Sequence, residues 1–151
     1  MHDGLVQREF RSTAPNELWL SDITEHWTSE GTLYLCAVKD VFSNRIVGHS
    51  IDARMQTALA VRALNNAVMR RGDVAGCMLH TDRGSQFRSR EIQRALTRHG
   101  MPGSIGRVSA AGMESFFSLL QRNVLNRRIW ATRDELRQAI VVWSERTCHR
   151  R

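Results

Sequence analysis

A chain of 151 residues, 42% apolar and 25% charged, is long enough for one globular domain with its own core and is not a disordered tail. It holds no apolar run near the roughly 18 residues of a membrane span, and Met1-His2-Asp3-Gly4 does not begin a secretory leader, so the expected compartment is the cytosol. The net charge of +7 is uneven: residues 1–75 carry 8 basic and 9 acidic side chains and residues 76–151 carry 14 and 6, giving −1 and +8. Of the 22 basic residues only Lys39 is lysine. Guanidinium forks suit phosphate oxygens, so composition alone leaves a nucleic-acid partner and an arginine-biased genome level with each other.

In chain order, an arm of about 15 residues precedes three segments rich in β-branched and aromatic residues, one ending near Thr24 and the others over 33–42 and 45–51. Ser43-Asn44 supplies the turn between the second and third, which predicts a hairpin. Val61, Leu64 and Val68 recur at helical spacing over 57–71, and Arg70-Arg71-Gly72 ends that helix with cations and a glycine. A fourth strand is expected over 76–81. Ser89 is placed to cap a helix running to His99, with Gly100 and Pro102 beyond it. A short fifth strand over 104–108 and a loop over 103–112 lead to two final helices, near 113–126 and 133–149. Their apolar stripes are Met113, Phe116, Phe117, Leu120, Val124 and then Leu136, Ile140, Trp143. The order β-β-β-α-β-α-β-α-α predicts an α/β domain, a mixed sheet of about five strands flanked by helices.

Cys36, Cys77 and Cys148 show neither metal-ligand spacing nor a disulfide framework, and read as reduced thiols. Three carboxylates stand out by position: Asp22 near the end of the first strand, Asp82 after the fourth, and Glu114 at the start of a helix. Strand ends and a neighbouring helix can bring distant acids together, and their oxygens would hold a hard divalent cation. Two such ions about 4 Å apart suit in-line displacement at a phosphodiester. Singly, each acid has an ordinary reading as a turn residue, a strand end or a complement to a helix dipole. Arg83, Ser85, Gln86 and Arg88 crowd behind Asp82, and such groups donate hydrogen bonds to phosphate. Arg122, Arg127 and Arg128 read equally as a DNA-facing ridge or a solvated face. Trp19, Trp27, Trp130 and Trp143 read as core or subunit-contact residues before stacking platforms.

Trp19-Leu20-Ser21-Asp22-Ile23-Thr24, Tyr34-Leu35-Cys36-Ala37-Val38-Lys39-Asp40 with Ser43-Asn44-Arg45-Ile46-Val47-Gly48, His80-Thr81-Asp82-Arg83-Gly84-Ser85-Gln86-Phe87 and Glu114-Ser115-Phe116-Phe117 stand in one order. Together they resemble the catalytic core of DDE-type insertion-sequence transposases related to retroviral integrases, over nearly the whole chain. The resemblance implies a ribonuclease-H-like fold as a single core domain. It implies a polynucleotidyl transferase that cuts DNA ends and transfers strands, with Asp22, Asp82 and Glu114 as catalytic residues and ligands of two magnesium or manganese ions. His80, Gly84 and Gln86 would shape the site. Arg83, Ser85, Gln86, Arg88, Ser118, Gln121 and Arg122 would contact DNA. Implied partners are the element's ends and target DNA, further copies of the chain, and a separate helix-turn-helix protein encoded upstream; no membrane is implied, and the setting would be the nucleoid.

Departures from the family pattern are local. Between Asp82 and Glu114 lie 31 residues, about four fewer than the family interval. One reading is a deletion, shortening the loop by up to about 14 Å of extended chain and disabling the site. The other, favoured by the intact flanking motifs, is a stretch of loop left out of the chain between Ser109 and Glu114. Gln121 stands where relatives often have lysine, and Cys148 where they have tyrosine. The absence of a helix-turn-helix segment suggests a fragment or one frame of an element. The alternative to an active enzyme is an inactive remnant or a regulatory module that binds DNA or oligomerises.

Overall fold

The structure is a computed structural model and describes residues 12–81, 87–105 and 110–148. Strands β1 (Leu18–Thr28), β2 (Gly31–Asp40), β3 (Arg45–Asp52), β4 (Met78–Thr81) and β5 (Gly103–Ile105) and helices α1 (Thr57–Arg71), α2 (Arg90–Arg98), α3 (Ala110–Asn123) and α4 (Arg133–Cys148) follow in the expected order β-β-β-α-β-α-β-α-α. But β1 runs four residues past its expected end near Thr24 because it pairs with β2 as far as Thr28↔Gly31, so Asp22 stands within the strand and not at its end. A short 3₁₀ turn, Leu125–Arg127, separates α3 from α4. The strands form one sheet in the order β3-β2-β1-β4-β5. β1 is antiparallel to β2 and parallel to β4, β3 is antiparallel to β2, and β5 is parallel to β4.

Period-two alternation splits the hydrophobic residues of the sheet between two helical layers. On one face Trp19, Cys36, Val38 and Leu79 pack with Leu59, Ala63, Leu64 and Ala67 of α1 and Ile92, Ala95 and Leu96 of α2. On the other, Leu20, Leu33, Leu35 and Ala37 pack with Met113, Phe116 and Leu120 of α3 and Leu136 and Ile140 of α4. One irregularity breaks the alternation. The β2–β3 register steps from Val38↔Gly48 to Lys39↔Ile46, leaving Val47 as an extra residue. Ile46 therefore faces α3 and α4, while both Val47 and Gly48 face α1. The approach there is so close that a Cβ on Gly48 would lie 2.6 Å from the Ala67 amide nitrogen.

This contact explains a departure from the expected α1 stripe. The buried side is Leu59, Ala60, Ala63, Leu64 and Ala67, with Val61 and Val68 only partly buried at its margins. Small side chains let the helix axis sit near the sheet, where larger ones at the centre of the stripe would hold it away. Gly72 closes α1 at φ 85°, donating its N–H to the Val68 carbonyl. Ser89 caps α2, its Oγ accepting from the Ile92 amide at 3.4 Å. β4 starts at Met78, two residues later than expected, and β5 starts at Gly103; of the expected fifth strand, 106–108 lie outside the described residues. α3 starts and stops three residues early, because Ala110-Ala111-Gly112 joins the helix and the chain turns at Val124 (φ −128°, ψ −63°) before the 3₁₀ turn.

The tryptophans divide. Trp19 and Trp130 are buried and Trp143 is half-buried against Phe116, but Trp27 is 71% exposed near the hairpin tip, so the core reading fails for it. Cys36 and Cys77 are free and buried, and burial pushes both thiols up to about 12.

Candidate active site

Asp22 is half-buried on β1. Its neighbours in the alternation fix its face: Leu20 packs against α3 and α4, and Thr24 lines a gap with Leu120 and Leu125. Asp22 therefore belongs to the α3 side of the sheet. Its Oδ1 accepts the Ile23 amide at 2.8 Å. Its charge also helps to raise the Cys36 thiol, after burial and against a hydrogen bond from Ser21.

β1 and β4 run parallel through Leu18↔Met78, Trp19↔Leu79, Leu20↔His80 and Ser21↔Thr81. The ladder's last pair thus immediately precedes Asp22 on one strand and residue 82 on the other. Asp82, Arg83, Gly84, Ser85 and Gln86 lie outside the described residues. His80, paired with Leu20, is fully buried, and its Nδ1 lies 2.9 Å from Ser104 Oγ, joining β4 to β5. Among the described residues no group of three or more His, Cys, Asp or Glu side chains could hold a metal ion.

Glu114 follows buried Met113 on α3 and is itself exposed. The contact of α3 with β1 sets Met113 and Leu20 in one core, so Asp22 and Glu114 belong to the same side of the sheet. Ser118 and Gln121, four and seven residues beyond Glu114, share its exposed face, and Arg122 is exposed beside them. Gln121 donates to Asn126 Oδ1 at 2.7 Å. Arg88 is exposed one residue before the Ser89 cap, at the head of a helix in the opposite layer, so the sequence-predicted DNA contacts divide between the two sides of the sheet.

Residues 110–114 are uninterrupted helix. The expected omission between Ser109 and Glu114 falls partly outside the described residues, which leave out 106–109.

Two buried charges on β2 were not singled out as site residues from the sequence. Lys39 is 5% exposed and opposite Leu20, on the side of Asp22, and burial pulls its ammonium below the usual lysine range. Asp40, fully buried on the other face, accepts from the Asn16 amide at 3.2 Å and Ser43 Oγ at 2.9 Å. The signal for Lys39 was the alternation Leu33, Leu35, Ala37, Lys39, which runs a charge into an apolar stripe.

A mixed β3-β2-β1-β4-β5 sheet between two helical layers, with an aspartate where β1 leaves its parallel neighbour, defines the ribonuclease-H-like class of cores. Within that class the chain belongs to the integrase core domain family, whose match covers residues 12–110. It is 39% identical over 146 residues to the transposase for insertion sequence element IS904 of Lactococcus lactis, covering 94% of this chain and 58% of the relative. It is 34% identical over 147 residues to the transposase InsF for insertion sequence IS3A of Escherichia coli, covering 95% and 51%. The chain therefore spans about half the length of the curated relatives it matches. The HTLV-2 integrase catalytic core, solved with magnesium in a dimeric form, superposes with a TM-score of 0.62 at 21% identity, covering 86% of each chain. A chain of the simian T-cell lymphotropic virus intasome, bound to a PP2A regulatory subunit, gives 0.66 at 21% identity, covering 86% of this chain and 49% of that one. Among the described residues no helix is long and apolar enough to cross a membrane.

Proposed function

We propose that this chain is the catalytic core of an insertion-sequence transposase, a polynucleotidyl transferase that cuts the ends of a DNA element and joins them to target DNA. The observation that carries the reading is the parallel ladder ending at Ser21↔Thr81. Adjacent strands lie about 4.8 Å apart, so the next residue of each chain segment, Asp22 and Asp82, would stand side by side where the β1–β4 ladder ends. Were the strand alternation to run one residue past Thr81, residue 82 would fall on the face of His80, which is the face of Asp22 and of α3 with Glu114.

The donor set is oxygen only, which fits magnesium or manganese and not a thiolate- or imidazole-bound ion. Asp22, Asp82 and Glu114 would hold the metal, which when bound supplies Lewis-acid activation of the attacking oxygen and neutralises charge on the phosphodiester. The protein's own part is placement. Asp22 is held by a rigid strand and its own backbone hydrogen bond, while Glu114 stands on a helix anchored by Met113, Phe116 and Leu120. Ser118, Gln121 and Arg122 would continue that helix face along the strand being cut, and Arg83, Ser85, Gln86 and Arg88 would hold phosphates beyond Asp82. Further copies of the chain and a separate helix-turn-helix protein complete the proposed assembly, which would work at the nucleoid.

The short interval of 31 residues between Asp82 and Glu114 is the ground for one rival reading, a remnant that binds DNA without cutting it. The test is a strand-transfer assay on duplexes carrying the cognate ends, with magnesium or manganese titrated in. Metal-dependent cutting that Asp82→Asn abolishes is expected. Cutting that survives Asp82→Asn would refute the three-carboxylate site, and DNA binding with no cutting at any metal concentration would leave the remnant.

A further inference from the structure

We propose that the outer face of α2 is a track for the phosphate backbone of duplex DNA, on the layer of the molecule opposite Glu114. The choice of DNA rests on the proposed function; the track itself rests on how charge is divided between the layers. Helices α1 and α2 together carry six arginines and one acid, Glu91, whereas α3 and α4 together carry four arginines and four carboxylates. The helical charge is thus +5 on one side of the sheet and 0 on the other.

Within the basic layer the arginines are not equivalent. On α1, Arg62 pairs with Asp52 at 2.6 Å and Arg71 lies 3.9 Å from buried Asp40. Among the described residues the arginines of α2 make no ion pair. Ile92, Ala95 and Leu96 are buried, and Arg90, Arg94 and Arg98 are exposed. At i, i+4 and i+8 these three form one ridge of about 12 Å, with Arg90 and Arg94 pointing most directly away from the buried side. At one phosphate per about 3.4 Å of axis on each strand, that length matches three to four phosphates. Arg88, exposed just before the cap, adds a further cation near the start of α2.

A protein partner fits this face poorly. Protein interfaces are anchored by buried apolar and aromatic side chains. Among the described residues no exposed large hydrophobic side chain lies on α2. A series of guanidinium groups that form no ion pair among the described residues, without an apolar anchor, matches a regular polyanion.

The test measures binding of the full chain to a 30-base-pair duplex of arbitrary sequence, in chelator so that no cutting intervenes, across a salt series. With Arg90→Gln, Arg94→Gln and Arg98→Gln combined, the slope of log affinity against log salt should become shallower by about 2.7, at 0.9 per lost phosphate contact. The corresponding triple lysine variant should retain most of the slope, and Arg127→Gln with Arg146→Gln, on the opposite layer, should change it by less than half a unit per residue. An α2 triple variant that melts like the parent and keeps its slope overturns the track, as does absence of binding by the parent. Loss of slope in the α2 variant, together with failure of the parent to cut in magnesium, upholds the track and counts against the catalytic reading alone.

Discussion

Substituting Gly48→Ala tests the close approach of β3 to the backbone of α1. The added Cβ would meet Ala67 N at 2.6 Å, Ala63 O at 2.7 Å and Ala67 Cα at 2.7 Å, all backbone atoms with no rotamer to move. Ordinary contact begins near 3.4 Å, so α1 must lift by about 0.8 Å, and gaps of 0.5–1 Å forfeit about a quarter to a half of each lost contact. Overpacking of this kind costs about 1–3 kcal/mol, and a contact made only to backbone belongs at the upper end. Alanine offsets about 0.4–1 kcal/mol of that by restricting the unfolded chain. The expected net loss is about 2 kcal/mol, or about 4–8 °C in Tm for a chain of this size. Urea denaturation would show a lower midpoint with an unchanged slope, because the surface exposed on unfolding is the same. Ala67→Gly should not rescue the variant, since the clash is with the Ala67 backbone. A Gly48→Ala protein as stable as the parent, or rescue by Ala67→Gly, would refute the close approach and the bulge at Val47 that creates it.

Asp22→Asn and Glu114→Gln should each lower metal-dependent end cutting by at least about 100-fold, more than the 10–100-fold typical of groups that only support a ligand, with melting unchanged; parent-level cutting by either would remove that residue from the site. Acidification should destabilise the fold. Burial, then Arg70, lowers the His49 pKa, with Glu145 opposing, so the unfolded chain binds the proton first. Stability is therefore held above the ordinary value of 6.5 and lost as pH falls below it towards the lowered folded pKa. Thermal melts from pH 7.5 to 5.5 should show this decline, shallower in His49→Asn; an identical slope in the variant would exclude His49 as a contributor. Ser89→Ala should cost about 1 kcal/mol by leaving the Ile92 amide without its side-chain acceptor, and a neutral result in denaturant melts would show that water replaces it.

Local pattern carried most of the element order. The Ser43-Asn44 turn, the Gly72 end of α1 and the Ser89 cap are interactions among residues a few positions apart, so their signals sit in short windows of sequence. The boundaries of α3 were less legible because Ala110-Ala111 is compatible with either loop or helix, and its far end is set by how the chain turns towards Trp130, whose Nε1 donates to the Leu125 carbonyl at 3.2 Å. For the candidate site, the sequence marked Asp22, Asp82 and Glu114 by chemistry and motif order. That Asp22 and Glu114 belong to one side of the sheet came from the two core clusters.

By itself, then, the sequence determined an α/β chain with three strands before the first helix, its family resemblance and its candidate acids. Tertiary structure decided what depends on pairing between distant segments: the β1–β4 register that ends beside Asp22, the extra residue at Val47 that turns Gly48 onto α1, and the burial of Lys39 within an apolar face. It also changed the meaning of the charge. The second-half arginines of the helices divide between the layers, three on α2 and four on α3 and α4, and only the latter stand among an equal number of carboxylates, because side chains sort by face and not by position in the chain. The arginines of α2, with no ion pair among the described residues, lie across the sheet from Glu114, and only the path of the backbone through both layers could separate them.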